Sequence, residues 1–397
     1  MKTKIVVLLC LGAGAGAAII PPGSELQVRL TSEATSEKPS GQAVSGVLIA
    51  PVLLNGSPVI SAGARLSGKT ADAASAKAAT DSAPEQAATL RIDFTTITDQ
   101  AGHSQPLSCV LDAVDNSRET VTQAGLITGV SVSKTYEGML DQGLAKLSGQ
   151  FGSLISSVKD ALLKDVDPSI DYKAGVELRV KLTKDLNWSA AAEQSTVGAI
   201  TPRALAALVT TLPFRTVAQK PAKPSDLINV MFIGTQEQVQ GAFKEAGWLT
   251  SAELSGISRM QTAQAIIEDR GYSEAPMSVL FLDGRPPDMM YQKSTDTFNM
   301  RHHIRVWMQP QKFDGEPVWL GSATHDTGIT ISPVSHNFTH GIDPNIDTER
   351  TKVVNDMLLT GHVRAMAMVE RPGAPQGITN ATGDKVQTDR KLAVLEF

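Results

Sequence analysis

Residues 23–31 read Gly23-Ser24-Glu25-Leu26-Gln27-Val28-Arg29-Leu30-Thr31, and residues 175–183 read Gly175-Val176-Glu177-Leu178-Arg179-Val180-Lys181-Leu182-Thr183. In both, apolar side chains alternate with polar ones. That period of two belongs to a half-buried strand. The near-repetition across some 150 residues predicts two equivalent strands that open and close one β-rich domain.

Between these strands the same texture recurs. Ala43 to Leu54 reads as a strand, Asn55-Gly56 as a hairpin turn, and Val59-Ile60 as the return. Leu90, Ile92 and Phe94 alternate again, followed by the apolar run around Cys109. Residues 70–88, rich in Ala, Ser and Thr, read as a long loop. Short strands at regular spacing predict a small barrel or sandwich over 19–188. One insertion breaks the period. From Tyr136 to Leu162 apolar residues recur every three or four positions, predicting a long amphipathic helix over 136–165. Its readings are packing on its own domain, self-association, or adsorption to a membrane face. Several glycines within it lower its intrinsic stability, so it needs a partner surface.

The first 18 residues have the layout of a signal peptide. Lys2 and Lys4 precede the apolar Ile5–Leu11, and Ala15-Gly16-Ala17 offers a cleavage site. The apolar run is far short of the about 20 residues that span a bilayer. Cleavage there removes Cys10 and leaves Cys109, which cannot form an internal disulfide alone and reads as a buried, inert thiol. The whole chain carries a net charge of −5, with no basic excess and no motif for nucleic acid.

Prolines and alanines over 189–225 read as a linker with one short helix near Ala204 to Thr210. From Asp226 the texture becomes a mixture of strands and helices, an α/β or α+β domain over 226–370, followed by a tail over 371–397 with room for a last strand. The whole is thus expected to be a multi-domain α+β protein.

Six of the seven histidines fall between His302 and His362. In the strand "RHHIRVW", alternation puts Arg301, His303, Arg305 and Trp307 on one face and His302, Ile304, Val306 and Met308 on the other. Arg301, His303 and Arg305, with Arg285, make a candidate site for phosphate or carboxylate. The competing reading is a solvated edge paired to acids. His325 with Asp326, and His340 with Asp343, are candidate metal ligands or acid–base groups. Asp343-Pro344 also reads as a helix start, with Asp343 as the cap. The sequence lacks H-E-x-x-H, a P-loop, G-x-S-x-G and a paired CxxC.

Two resemblances follow from the motifs. "PPGSELQVRLT", "GSPVISAGARLSGK" and "ATLRIDF" with "AGHSQPL" resemble the periplasmic β-barrel domain of type IV secretion core proteins, which implies an envelope location and a scaffold-like role. "INVMFIGTQEQVQGAFKEAGW", "APMSVLFLDGRPPDMMYQK", "FNMRHHIRVW", "PVWLGSATHD" and "THGIDPNIDTER" occur in the order of the LssY C-terminal domain family, which implies an envelope-associated domain over about 225–370. Three functions are therefore expected, in this order. The first is an envelope binding or scaffold protein that meets envelope components, an anionic small molecule or a lipid headgroup, with peripheral membrane association. The second is a hydrolase of phosphate or acyl esters assisted by a divalent metal such as zinc. The third is a homo-oligomeric assembly protein. The cofactor is accordingly a divalent metal or none. In a Gram-negative host, the mature chain is expected in the periplasm with Ala18 or Ile19 as its first residue; N-terminal sequencing that finds Met1 on cytosolic protein overturns this.

Overall fold

The structure is a computed structural model. It describes residues 18–55, 57–77, 82–129, 169–189, 197–200, 202–219, 222–250, 280–293, 300–331 and 338–397. The chain divides into two compact units, Ala13–Glu193 and Gln194–Phe397. The signal segment and the helix predicted over 136–165 lie outside the described residues. No helix among the described residues is long and apolar enough to cross a membrane.

The first unit is a near-closed antiparallel barrel of eight strands. In spatial order they are Cys109–Val114, Glu177–Leu182, Glu25–Leu30, Ala43–Leu48, Arg65–Ala74, Thr89–Thr98, Leu126–Thr128 and Thr120–Val121. The two repeated segments lie side by side, with Val28 opposite Leu178 and Arg29 opposite Glu177. Each is entered through a glycine in the left-handed region, Gly23 at φ 83° and Gly175 at φ 105°, a conformation a side chain would strain. Leu26, Val28 and Leu30 point into the core with Leu178, Val180 and Leu182. Arg29 and Glu177 pair at 2.8 Å.

The segment read as a loop over 70–88 is in part a strand. Arg65–Ala74 continues past Thr70 and pairs with Thr89–Thr98, and Lys77 bridges Gln86 beyond it. Asp72, at φ 47°, sits in the bulge that lets the ladder resume at Ala74. Small side chains that looked like loop composition are tolerated here because backbone pairing holds the hairpin.

The second unit is built on a nine-stranded mixed sheet. Its centre runs Ala365–Glu370, Lys391–Glu396, Val230–Ile233, Glu316–Ile331, Met300–Phe313 and Met289–Lys293. One face packs under helices Gln236–Glu245 and Ile346–Leu359, through Phe232, Phe243, Ile304, Val306, Val353 and Met357. The other face meets helix Pro202–Val209, through Leu205, Val209, Met231, Trp307 and Val394.

Two expectations need correcting here. Residues 197–227 do not simply link domains. Helix Pro202–Val209 and strands Arg215–Gln219 and Ala222–Leu227 belong to the second unit, because Leu205, Val209, Leu212 and Leu227 are buried. Residues 371–397, read as a tail with room for a last strand, do contain that strand, but it is not peripheral. Lys391–Glu396 is an interior strand, parallel to Val230–Ile233 and antiparallel to Ala365–Glu370. Its run Leu392 to Leu395 is apolar at every position because both faces are covered.

Cys109 closes toward Thr89–Thr98, its Sγ 3.7 Å from the Phe94 carbonyl. Burial first, and the Asp93 carboxylate second, push this thiol up to about 12. Native protein at pH 8 should therefore react with a disulfide reagent about a thousandfold more slowly at Cys109 than protein unfolded in urea; equal rates in the two states contradict this packing.

Candidate functional site

The two longest strands, Met300–Phe313 and Glu316–Ile331, form one hairpin. Its turn is Asp314-Gly315, both left-handed, at φ 48° and 88°. That two-residue geometry suits the twist of the strands, and an irregularity between Met308 and Lys312 shifts the register before the charged row is reached. Arg301 faces Asp326, His303 faces Thr324, Arg305 faces Ser322 and Trp307 faces Leu320. Trp307 and Leu320 join the apolar cluster under helix Pro202–Val209, so this whole row lies on that side of the sheet.

The row is buried, which the sequence did not show. Arg301 donates from Nε to Asp326 Oδ2 at 2.9 Å and from Nη1 to Gln292 Oε1 at 3.4 Å. His303 Nε2 lies in hydrogen-bond contact with Thr324 Oγ1, and its Nδ1 is 3.4 Å from Asp326 Oδ2. Arg305 Nη1 is 3.5 Å from Asp226 Oδ2. Burial, with Arg301 adding to it, lowers the Arg305 guanidinium from its usual range, against the opposing pull of Asp226 and Asp326. Two guanidiniums thus face two carboxylates, and the stripe is neutral without a bound ion.

Arg285 does not join them. It is exposed, on the turn where Asp283 and Gly284 are left-handed, and its guanidinium donates to the Met308 carbonyl.

The candidate metal residues are divided by the same alternation. His325 is adjacent to Asp326 in sequence and on the opposite face of the sheet. It stacks on His302, ring centroids 4.5 Å apart and 21° from parallel. His302 Nδ1 is 2.7 Å from Oε2 of Glu349, which helix Ile346–Leu359 buries there. His325 and Asp326 are therefore not partners. Asp343 is committed to a turn, its Oδ1 accepting from the Asn345 amide at 2.9 Å and its own amide donating to His325 O at 2.9 Å. The helix cap is Asn345, two residues later than the sequence suggested. His340 lies opposite Ile329 in register, and its side chain is outside the described set.

Sequence reasoning passed over Ser322, Thr324, Asp226 and Gln292. The first two carried a signal. Ser322, Thr324 and Asp326 alternate at the same period as Arg301, His303 and Arg305, as facing rows of one hairpin must. Asp226 and Gln292 come from other strands, and nothing local in the sequence joins them to the row.

Chemically, Thr324, His303 and Asp326 stand in the order of nucleophile, base and orienting acid. Three features oppose that use. Thr324 is only 1% exposed. The 3.4 Å gap from His303 to Asp326 exceeds a catalytic hydrogen bond. The Asp326 oxygen nearest His303 is shared with Arg301, which holds it at the shorter distance of 2.9 Å.

If the stripe is a self-neutralised structural network, removing one acid strands a buried cation. Asp326→Asn should cost about 3–5 kcal/mol in denaturant unfolding, and Thr324→Val about 1–3 kcal/mol. The second unit can be followed through Trp248, Trp307 and Trp319. A cost for Asp326→Asn below about 1 kcal/mol would contradict the network.

No curated protein sequence matches the chain. Among solved structures, ComB10 of the Com type IV secretion system of Helicobacter pylori is similar at 11% identity, covering 44% of this chain and 93% of that one, with a TM-score of 0.23. The barrel is fixed by its own strand register and does not depend on that likeness. Residues 209–392 match the family described as LssY C-terminus, and over that stretch the chain carries an LssY C-terminal domain.

Proposed function

We propose that this protein is an exported cell-envelope binding or scaffold protein and not a hydrolase. The observation that carries this reading is the closed state of the polar stripe: Arg301, His303 and Arg305 are buried and face Asp326, Thr324 and Asp226. A catalytic centre needs a group that substrate can reach, and among the described residues the hydroxyl that meets His303, that of Thr324, is shut in the sheet. The export half of the proposal rests on Lys2, Lys4, the apolar Ile5–Leu11 and Ala15-Gly16-Ala17. The β-barrel unit would supply an attachment surface, and the LssY C-terminal domain would recognise an anionic ligand.

The alternative with a specific observation behind it is ester hydrolysis through Thr324, His303 and Asp326. The purified full chain, with and without zinc or manganese, is to be assayed on p-nitrophenyl phosphate and p-nitrophenyl acetate. The binding reading expects rates at the buffer background, unchanged in Thr324→Val and His303→Gln. Turnover above background that vanishes in a folded Thr324→Val variant establishes the hydrolase instead.

A further inference from the structure

One polar cluster of the second unit has no part in the stripe. His302 and His325 stand directly opposite each other on the neighbouring strands Met300–Phe313 and Glu316–Ile331, on the face that helix Ile346–Leu359 covers. Directly opposed positions bring Cβ atoms to about 4.5–5.5 Å. The two rings stack with centroids 4.5 Å apart, and a ring nitrogen of each lies within 4.8 Å of one on the other. His302 is 6% exposed, whereas His325 is half-buried and not sealed.

Glu349 decides which nitrogen of His302 is left for a ligand. Its Oε2 lies 2.7 Å from Nδ1. A carboxylate only accepts, so in the neutral ring Nδ1 carries the proton and Nε2 keeps its lone pair. That is the arrangement in which a carboxylate orients a metal-binding imidazole. Glu349 is 2% exposed, and its Oε1 has no hydrogen-bond partner among the described residues. A buried carboxylate with an idle oxygen calls for positive charge at the imidazole it holds. The lysines on this face, Lys293 and Lys352, are held by Asp356 instead, at 3.3 and 2.6 Å, and the Trp248 indole donates to the same oxygen. A cation on Nε2 of His302 provides the missing charge.

We propose that His302 and His325 bind one divalent transition-metal ion such as zinc through their ring nitrogens, with Glu349 as the positioning residue behind His302. Imidazole is a ligand these ions favour. Two nitrogens at about 2.0–2.1 Å from one zinc ion stand about 3.3 Å apart at the tetrahedral angle, so the pair has to close by about 1.5 Å or less, within reach of a turn of the half-buried His325 ring. Two protein ligands leave positions open, which water or an outside donor fills. The site lies on the opposite face of the sheet from Thr324 and stands independently of the binding reading above.

The full chain, stripped with EDTA and dialysed, is to be titrated with zinc chloride by calorimetry and with copper(II) chloride under electron paramagnetic resonance. One saturable zinc site per chain is expected, with a copper spectrum split by two imidazole nitrogens. His325→Gln should weaken zinc binding by about tenfold or more and leave one nitrogen in the spectrum. Glu349→Gln should weaken it by about tenfold with both nitrogens retained, as a positioning role requires. His103 and His362 are exposed beside Asp99 and Glu245 and offer competing surface sites; His103→Gln combined with His362→Gln should leave both readouts unchanged. Should His325→Gln fail to fold by circular dichroism, the nitrogen count in the unmodified chain and in the double variant decides. Absence of saturable binding, affinity unchanged in His325→Gln, or loss of binding in the double variant overturns the site. Such an outcome leaves the binding reading, which rests on the closed stripe, as it stands.

Discussion

The second unit depends on the register of a single hairpin, Met300–Phe313 with Glu316–Ile331. Side chains on a strand alternate strictly, so a slip of one residue would exchange its two faces. In the observed register Arg301, His303 and Arg305 meet Asp326, Thr324 and Ser322 on one side. Ile304 and Val306 meet Ala323 and Gly321 on the other. After a slip, guanidiniums would lie among Phe243, Val353 and Met357 under the helices. Few errors in a fold cost more than an unpaired charge in an apolar layer. The charge pairs therefore specify the register of the long arm of the hairpin, which differs by an irregularity between Met308 and Lys312 from the pairing beside the Asp314-Gly315 turn. The remaining sheet builds outward from it: Val230–Ile233 pairs with Glu316–Ile331, and Lys391–Glu396 with Val230–Ile233.

The first unit uses the same constraint on a smaller scale. Its repeated strands pair directly, so the ends of the described barrel segment, Glu25–Leu30 and Glu177–Leu182, close on each other. The Arg29–Glu177 pair lies on the polar side of that seam, and the leucines and valines lie on the core side. A sequence repeat far apart in the chain thus becomes a local ladder in space. Its energy comes from apolar burial, and its register comes from alternation.

Strand faces were legible in the sequence, whereas burial was not. The split of "RHHIRVW" into two faces follows from period alone, and the structure places Trp307 and Ile304 in opposite apolar layers as the split requires. Whether the polar face meets water depends on what covers it and on Asp226, some 75 residues away in the chain. Alternation holds no information about either. The interior position of Lys391–Glu396 was hidden for the same reason: its partners are non-local, and six residues of strand look alike at an edge or a centre. The Asp343-Pro344 helix start was misread because two signals compete there. Asp343 does satisfy a nearby amide, that of Asn345, but it does so in a turn, and Asn345 takes the amide of Asp347 at the true helix end. Residues 70–88 misled through composition, since small residues mark loops only where no backbone partner exists.

Magnitudes decide where an anion can bind in such a domain. At Arg301 or Arg305 a ligand would have to displace Asp326 or Asp226 and leave that carboxylate buried and unpaired, a cost of about 3–5 kcal/mol. A charged hydrogen bond returns about 1.5–3 kcal/mol. The exchange is unfavourable, and the row that looked most like an anion site in the sequence is the one least able to serve. Arg371 reaches its burial by another route: the carbonyls of Leu212 and Pro213 and the Phe214 ring hold it, and no carboxylate among the described residues pairs with it. Cationic content alone therefore does not mark a binding site, because only the three-dimensional pairing decides which charges are already committed to the fold.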